Sequence, residues 1–236
     1  MTRRVLVTRP EPGASATAAR LSDIGLSPLV LPLTRIEALA PQLPDGKTFD
    51  ALVLTSANAV RKAPGDLLAS VSGVPCFAVG PATSDAAQKA GLMVTLASGG
   101  DANSLASDII SRIGQGSRLL YLCGRTRTPE LEAALEIAGI HVEPVETYEA
   151  VALDVSSRAL RGQLADRPLD FALVHSARGG ALLAGIMARP ELVDIFAGTT
   201  IFSISAKAAG PLADHRIEVA AEPSEPALLA LVKAKV

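Results

Sequence analysis

The sequence repeats most of itself in the order A, B, A′, B′, and this repeat restricts the folds open to it. Unit A runs from an apolar strand through a helix that closes at Gly25 to a second strand, and residues 118–148 follow the same outline. Unit B begins with residues 49–58, which residues 169–178 of B′ match closely. The repeat predicts two similar lobes with a cleft between them, where small ligands prefer to bind.

Apolar runs alternate with alanine-rich helical segments along the whole chain. The runs lack an in-and-out alternation, which is typical of parallel strands that are covered on both faces. We therefore predict an α/β fold of two flavodoxin-like, doubly wound lobes with parallel sheets, five strands in each. The candidate strands lie near residues 3–8, 28–33, 50–55, 74–79, 92–96, 118–123, 141–146, 170–175, 199–204 and 216–220.

The lengths of the connections indicate which units share a lobe, since elements joined by tight loops are usually neighbours in space. Unit B meets A′ through only residues 114–117, whereas the connections A to B and A′ to B′ are long. We therefore pair B with A′ and A with B′. The predicted domains are a discontinuous first lobe of residues 1–36 plus 169–236, a second lobe of residues 50–148, and two interlobe linkers, 37–49 and 149–168.

Composition narrows the function classes. The chain has 236 residues, enough for two lobes that each bury a core, and 49% of them are hydrophobic against 19% charged, which favours a folded chain over disorder. The net charge is −2, aromatic residues make up 3%, and tryptophan is absent. Because nucleic-acid binding usually needs a basic surface and stacking rings, we expect no nucleic-acid partner.

The start of the chain leads straight into a strand without the apolar stretch of a signal peptide, and no apolar run approaches a membrane span. We therefore expect a cytoplasmic protein without a membrane partner. Cys76 and Cys123 fall in different predicted strands, so we expect no disulfide. Together with three scattered histidines they show no metal-ligand spacing, and we expect no metal.

Small hydroxyl residues with intermittent arginines follow nearly every predicted strand. The carboxyl ends of parallel strands lead into helix N-termini, which attract anions, so this pattern suits a ligand with several carboxylates. Taken singly, each Ser or Thr also fits an ordinary helix cap. The candidate loops are residues 8–10, 55–58, 79–84, 123–127, 175–178 and 203–207. The sequence contains no dinucleotide-binding, P-loop or G-x-S-x-G motif.

Three residues at strand ends have both a chemical and a structural interpretation. His175 could act as a base, but it has no recognisable partner, which favours an incidental role. Cys123 could act as a nucleophile, although a buried strand cysteine is the commoner case. Tyr148 ends the last strand of A′ and could donate a proton to a leaving oxygen, or could pack at an interface.

The order of motifs resembles the uroporphyrinogen-III synthase family over essentially the whole chain. The most specific block is residues 54–60, Leu-Thr-Ser-Ala-Asn-Ala-Val, and the others are residues 7–10, 32–33, 79–83 and Tyr148. The resemblance implies two α/β lobes joined by two linkers. It also implies a cyclising lyase of haem and other tetrapyrrole biosynthesis that uses no cofactor or metal. Such an enzyme closes hydroxymethylbilane to uroporphyrinogen III, inverting ring D and eliminating water.

The resemblance also implies roles for particular residues. Tyr148 matches the tyrosine thought to assist hydroxide departure, and we expect it to be the catalytic residue. The family pattern Ile-Gly-Pro-Thr-Thr-Ala is replaced here by residues 204–209, where Lys207 could supply a charge in place of a hydroxyl. The expected substrate-binding residues are Thr55, Ser56, Thr83, Ser176, Arg9, Arg125, Arg127 and Lys207.

The partner that we expect is the small linear tetrapyrrole with its eight carboxylates, bound by a monomer. A transient contact with the preceding enzyme of the pathway is left open. The competing interpretation is a non-catalytic, two-lobed module that binds a small polycarboxylate in the same cleft. A third interpretation is a different lyase or transferase on this scaffold, because a fold does not by itself determine a function.

Overall fold

The computed structural model describes residues 2–41, 47–98 and 102–235. It divides into two compact units, of which the first comprises Met1–Arg35 with Val151–Val236 and the second comprises Ile36–Ala150. Part of the predicted linker 37–49, namely residues 42–46, lies outside the described residues. Each unit contains its own sheet and its own hydrophobic core.

Strands and helices alternate along the chain. The strands are β1 (Arg4–Val7), β2 (Ser27–Val30), β3 (Thr34–Ala38), β4 (Ala51–Leu54), β5 (Cys76–Val79), β6 (Val94–Ser98), β7 (Arg118–Gly124), β8 (His141–Ala152), β9 (Phe171–Val174), β10 (Thr200–Ser203) and β11 (Ile217–Val219). The helices are α1 (Gly13–Asp23), α2 (Ala57–Lys62), α3 (Gly65–Ser70), α4 (Gly80–Lys89), α5 (Ala102–Arg112), α6 (Glu130–Ile137), α7 (Ser157–Gln163), α8 (Ala177–Met187), α9 (Val193–Phe196), α10 (Ala206–Ala209) and α11 (Glu225–Lys233). Among the described residues, no helix has both the length and the apolar character needed to cross a bilayer.

The sheet of the first unit joins the two ends of the chain. Its strand order is β11-β10-β9-β1-β2, and every neighbouring pair is parallel. The first strand of the chain thus lies beside β9, with Val5 opposite Phe171. Alternate residues bury against opposite layers: Leu6 packs into one core cluster and Val5 into the other. This double coverage is the reason that the strands read as continuous apolar runs.

The second sheet has the order β3-β8-β7-β4-β5-β6. The pairs β8–β7, β7–β4, β4–β5 and β5–β6 are all parallel. Here too successive residues alternate between two clusters, since Leu52 faces one layer and Val53 the other. The predicted α/β class with parallel sheets is therefore confirmed.

The expectation of five strands per lobe is wrong for the second sheet, because β3 adds a sixth. Backbone bonds run from Leu39 N–H to the Thr147 carbonyl (2.9 Å) and from Leu153 N–H to the Leu33 carbonyl (2.9 Å), so β3 lies antiparallel to β8. The sequence of β3 is too polar for a buried strand, and β3 forms because it pairs with the edge of β8. Within the predicted linker 149–168, β8 continues to Ala152 and α7 forms with Leu160 fully buried.

Arg4 is a buried cation that ties the first strand to the loop before β9. Its guanidinium donates to the carbonyl oxygens of Leu164 (2.5 Å), Arg167 (2.6 Å) and Pro168 (2.8 Å), and its side chain is only 8% exposed. The same loop holds Ala165 at a φ of 55°, a strained value for a residue other than glycine. Arg4 therefore supplies a charged donor to three backbone carbonyls of this loop.

We predict that Arg4→Met lowers the free energy of unfolding by about 3 kcal/mol, because the buried Leu164 carbonyl and the part-buried carbonyls of Arg167 and Pro168 lose a charged donor. Chemical denaturation monitored by circular dichroism measures the change. The matched control is Arg158→Met, an exposed position whose substitution should change stability by less than about 0.5 kcal/mol. Equal effects of the two substitutions would contradict the role given to Arg4.

Candidate functional site

The carboxyl ends of β8, β7 and β4 lie side by side at one edge of the second sheet, because the three strands are parallel neighbours. This edge brings together Tyr148 on β8, Gly124 at the end of β7 and Ser56 directly after β4. The Ser56 side chain lies near enough to the Tyr148 phenol to lower its pKa. A Cβ atom built on Gly124 would lie 2.7 Å from Cζ of Tyr148, so the ring occupies the space that the missing side chain leaves.

Tyr148 is partly buried against the apolar cluster beneath this edge. Burial raises the pKa of its phenol above the ordinary value, while the Ser56 side chain opposes the rise. The net effect keeps the phenol protonated at neutral pH. A side chain that is to donate a proton to a leaving group must hold that proton at the working pH, and Tyr148 meets this condition.

Thr55 and Ser56, which the sequence pairs as binding residues, have different hydrogen bonds. Ser56 caps α2, its hydroxyl accepting from the Asn58 N–H at 3.2 Å. The Thr55 hydroxyl instead lies 2.8 Å from the hydroxyl of Tyr121, which is buried in the core on β7. Burial raises the pKa of Tyr121 to about 12 despite the bond from Thr55, so this phenol is neutral and orients the threonine.

Sequence reasoning did not find Tyr121, because it lies within an apolar strand and has the appearance of a core residue. The available signal was its position on the strand beside β4, two residues before the Cys123-Gly124 strand end. Thr83 lies in the first turn of α4, just beyond β5, and its side chain is 5% exposed. Since β5 neighbours β4, Thr83 belongs to the same edge of the sheet.

Arg125 and Arg127 follow β7, and both pair with carboxylates of the chain itself. Arg125 contacts Glu149 at 2.7 Å and Glu146 at 3.3 Å. Arg127 contacts Glu146 at 3.0 Å and Glu132 at 3.1 Å. The arginines are therefore neutralised within the protein, and a carboxylate ligand would have to compete with these partners. Arg125 is the more accessible, with 52% of its side chain exposed against 23% for Arg127.

Arg9 lies in the first unit and also has an internal partner. Its guanidinium is 3.1 Å from a carboxylate oxygen of Glu225, which also receives Arg20 at 3.0 Å and the Thr17 hydroxyl at 2.5 Å. This cluster links the loop after β1 to α1 and to the first turn of α11. Sequence reasoning did not pair Glu225 with Arg9, because 216 positions separate them.

Ser176 and Lys207 are the other predicted binding residues in the first unit. Ser176 caps α8, accepting from the Gly179 N–H at 3.0 Å, as the structural interpretation of such serines anticipates. Lys207 lies in the short helix α10 behind Ser205, which caps that helix in the same way, and its side chain is exposed. The role of both residues in binding stays a prediction.

His175 and the two cysteines have environments that do not favour acid–base or nucleophilic chemistry. Neither ring nitrogen of His175 has a hydrogen-bond partner among the described residues. Burial, followed by the charge of Arg9, lowers the His175 pKa to about 3, so the imidazole is neutral. Burial raises the pKa of Cys76 and of Cys123 to about 12, so neither is a thiolate. Among the described residues, no group of acidic, histidine and cysteine side chains could hold a metal ion.

The structure thus groups the predicted site residues by unit. It brings the Ser56 side chain near the Tyr148 phenol and places Thr55, Thr83 and the two paired arginines after neighbouring strands of the second sheet. Arg9, Ser176 and Lys207 belong to the first unit. The second-unit edge provides a neutral phenol beside hydroxyl groups, which can protonate a departing oxygen.

Comparisons with known proteins place this arrangement in context. The family model described as uroporphyrinogen-III synthase HemD matches residues 15–233. A solved uroporphyrinogen-III synthetase from Helicobacter pylori is similar over 100% of both chains, with a TM-score of 0.70 and 19% identity. A mutant uroporphyrinogen III synthase from Thermus thermophilus is similar over 99% of this chain and 98% of its own, with a TM-score of 0.60 and 17% identity. A search of curated proteins finds no match.

We predict that Glu225→Gln lowers stability at neutral pH by about 1 kcal/mol, a value discounted for solvent screening. Burial alone would raise the pKa of Glu225, but the Thr17 hydrogen bond and the charges of Arg9 and Arg20 outweigh it and lower the pKa below 4.5. A carboxyl with a depressed pKa stabilises the fold above its unfolded pKa and loses that contribution as the pH falls through its folded pKa.

The difference between wild type and Glu225→Gln should therefore shrink as the pH falls below 4.5, which urea denaturation at a series of pH values measures. Glu191→Gln, at an exposed position of the same unit, is the control and should show no such trend. A difference that stays constant down to strongly acid pH would contradict the assignment.

Proposed function

The chain belongs to the uroporphyrinogen-III synthase family, and on this premise we propose that Tyr148, supported by Ser56, carries the proton-transfer step of the reaction. The activity of the chain is that of the family: it is a cyclising lyase of tetrapyrrole biosynthesis. The reaction closes hydroxymethylbilane to uroporphyrinogen III with inversion of ring D and loss of water. Neither the structure nor the comparisons favour a non-catalytic binding module.

The first step breaks the carbon–oxygen bond of the terminal hydroxymethyl group. Its electron pair leaves with the oxygen, Tyr148 supplies a proton, and the products are water, an azafulvenium cation and the tyrosine phenolate. Ring D is then attacked at its already substituted α-carbon, giving a spiro intermediate that fragments and recloses with the ring reversed. Loss of a proton from the newly bonded carbon restores the aromatic pyrrole, and that proton restores the phenol.

The environment of Tyr148 supports this role at both stages of the transfer. Burial raises its pKa, so the proton is present before reaction. The Ser56 side chain acts in the opposite direction and lowers the pKa. A positioned general acid of this kind typically contributes 10²–10⁴-fold to a rate. The observation that most strongly supports the proposal is the placement of the Tyr148 ring over Gly124, at the end of β7.

We propose that the remaining predicted residues bind the substrate carboxylates and orient the chain of pyrroles. Thr55 follows β4 directly before Ser56, and Thr83 lies beyond the neighbouring strand β5. Ser176 lies at the N-terminus of α8 in the first unit. Arg125 and Lys207 are the exposed cations among the candidates. Arg9 and Arg127 are more enclosed by their own carboxylate partners, and they would bind the substrate by exchanging those partners.

We also propose that the enzyme acts as a cytoplasmic monomer whose reactant is a small polyanion. The open substrate cyclises unaided to the symmetric isomer. The protein must therefore hold the substrate in a conformation in which attack at the substituted carbon is the faster reaction. The same reactivity favours a transient contact with the enzyme that supplies hydroxymethylbilane, since direct transfer would shorten its time in water.

The expected product gives a direct test of the activity. Purified protein supplied with freshly made hydroxymethylbilane should yield mainly the type III isomer, determined by chromatography after oxidation to porphyrin. The control without protein yields the type I isomer. Formation of the type I isomer alone in the presence of the protein would contradict the assigned activity.

The role of Tyr148 predicts that Tyr148→Phe slows formation of the type III isomer by about a hundredfold while leaving measurable activity, because positioning of the substrate is retained. Initial rates of type III formation measure the effect. Tyr121→Phe removes the same atom from the other tyrosine and should slow the reaction by less than about tenfold, since Tyr121 acts only by orienting Thr55. Unchanged turnover in Tyr148→Phe would remove Tyr148 from the mechanism.

A further inference from the structure

We propose that Gly124 is a positioning residue, which leaves room for the Tyr148 ring and so holds the phenol in the orientation from which it donates its proton. This role rests on the proposed function of Tyr148. It concerns how the phenol is oriented and therefore makes predictions that differ from those for Tyr148 itself.

A change of register between β7 and β8 places the two residues opposite each other. Along the two strands Cys123 pairs with Glu146, but the next pair is Gly124 with Tyr148, so β8 carries one additional residue. That residue is Thr147, which is fully buried and whose hydroxyl donates to the Ala59 carbonyl at 2.8 Å. An additional residue in one strand redirects the side chains beyond it, and here it brings the Tyr148 ring over the end of β7.

Gly124 leaves the space through which the ring passes. A Cβ at this position would lie 2.7 Å from Cζ of Tyr148 and 2.9 Å from its hydroxyl oxygen, well inside van der Waals contact. Gly124 does not have a positive φ, so the backbone itself would accept alanine without strain. The need for glycine therefore comes from the tyrosine ring, because the backbone conformation does not require it.

Gly124→Ala tests whether the space left by the glycine positions the Tyr148 ring. We expect kcat for the type III isomer to fall by about tenfold to a hundredfold with KM nearly unchanged, because the ring is displaced while the carboxylate contacts remain. Gly114→Ala is the matched control, since its Cβ would meet no atom within 4 Å and its φ is not positive. In a Tyr148→Phe background, Gly124→Ala should add less than about a factor of two, because both changes act on the same proton transfer.

The outcomes separate this role from the proposed function. If Tyr148→Phe is slow but Gly124→Ala turns over normally, the positioning role is wrong and the role of Tyr148 stands. If Tyr148→Phe is fully active, the proposed function of Tyr148 fails first. Should Gly124→Ala not fold, adding Tyr148→Ala removes the colliding ring and should restore folding; failure to restore it overturns the proposal.

Discussion

The parallel register of β8, β7 and β4 is the constraint on which the candidate site depends. Neighbouring strands lie about 4.8 Å apart, and parallel strands end at the same edge, so residues from three distant segments meet there. The additional residue on β8 then brings Tyr148 opposite Gly124. With a regular register Gly124 would pair with Thr147. The geometry of this candidate site therefore follows from backbone pairing before any side chain acts.

Burial on both faces of the sheet gives that geometry its rigidity and its chemistry. The strands alternate their side chains between two apolar layers, which hold the ends of β4 and β7 in place. The same apolar surroundings raise the pKa of Tyr148, and Ser56 partly offsets the rise. The donor is thus neutral at rest and stabilised when charged. This combination suits a reaction that begins with departure of hydroxide and uses the phenol again to receive a proton.

Charged side chains are the part of the site where sequence and structure differ most. Arginines after strands suggest ligands with carboxylates, and the loops at residues 9 and 125–127 fit that pattern. In the structure these arginines pair with Glu225, Glu132, Glu146 and Glu149. Such pairs keep the cations in place, so a carboxylate ligand would have to compete with them. Most of them join residues that are distant in the chain, and only the tertiary structure reveals them.

The sequence by itself determined the α/β class, the parallel sheets and the strand-end positions of Thr55 and Ser56, because apolar runs, glycine stops and an internal repeat are local patterns. The prediction that Tyr148 ends its strand was wrong, because β8 continues to Ala152. The sequence also did not predict β3, whose five polar-rich residues form a strand only by pairing with the edge of β8. Nor did it predict the position of the Tyr148 ring over Gly124 or the hydrogen bond between Thr55 and Tyr121. Tertiary structure decided these, since a hydrogen bond or a gap at Gly124 exists only once strand register has set which side chains meet.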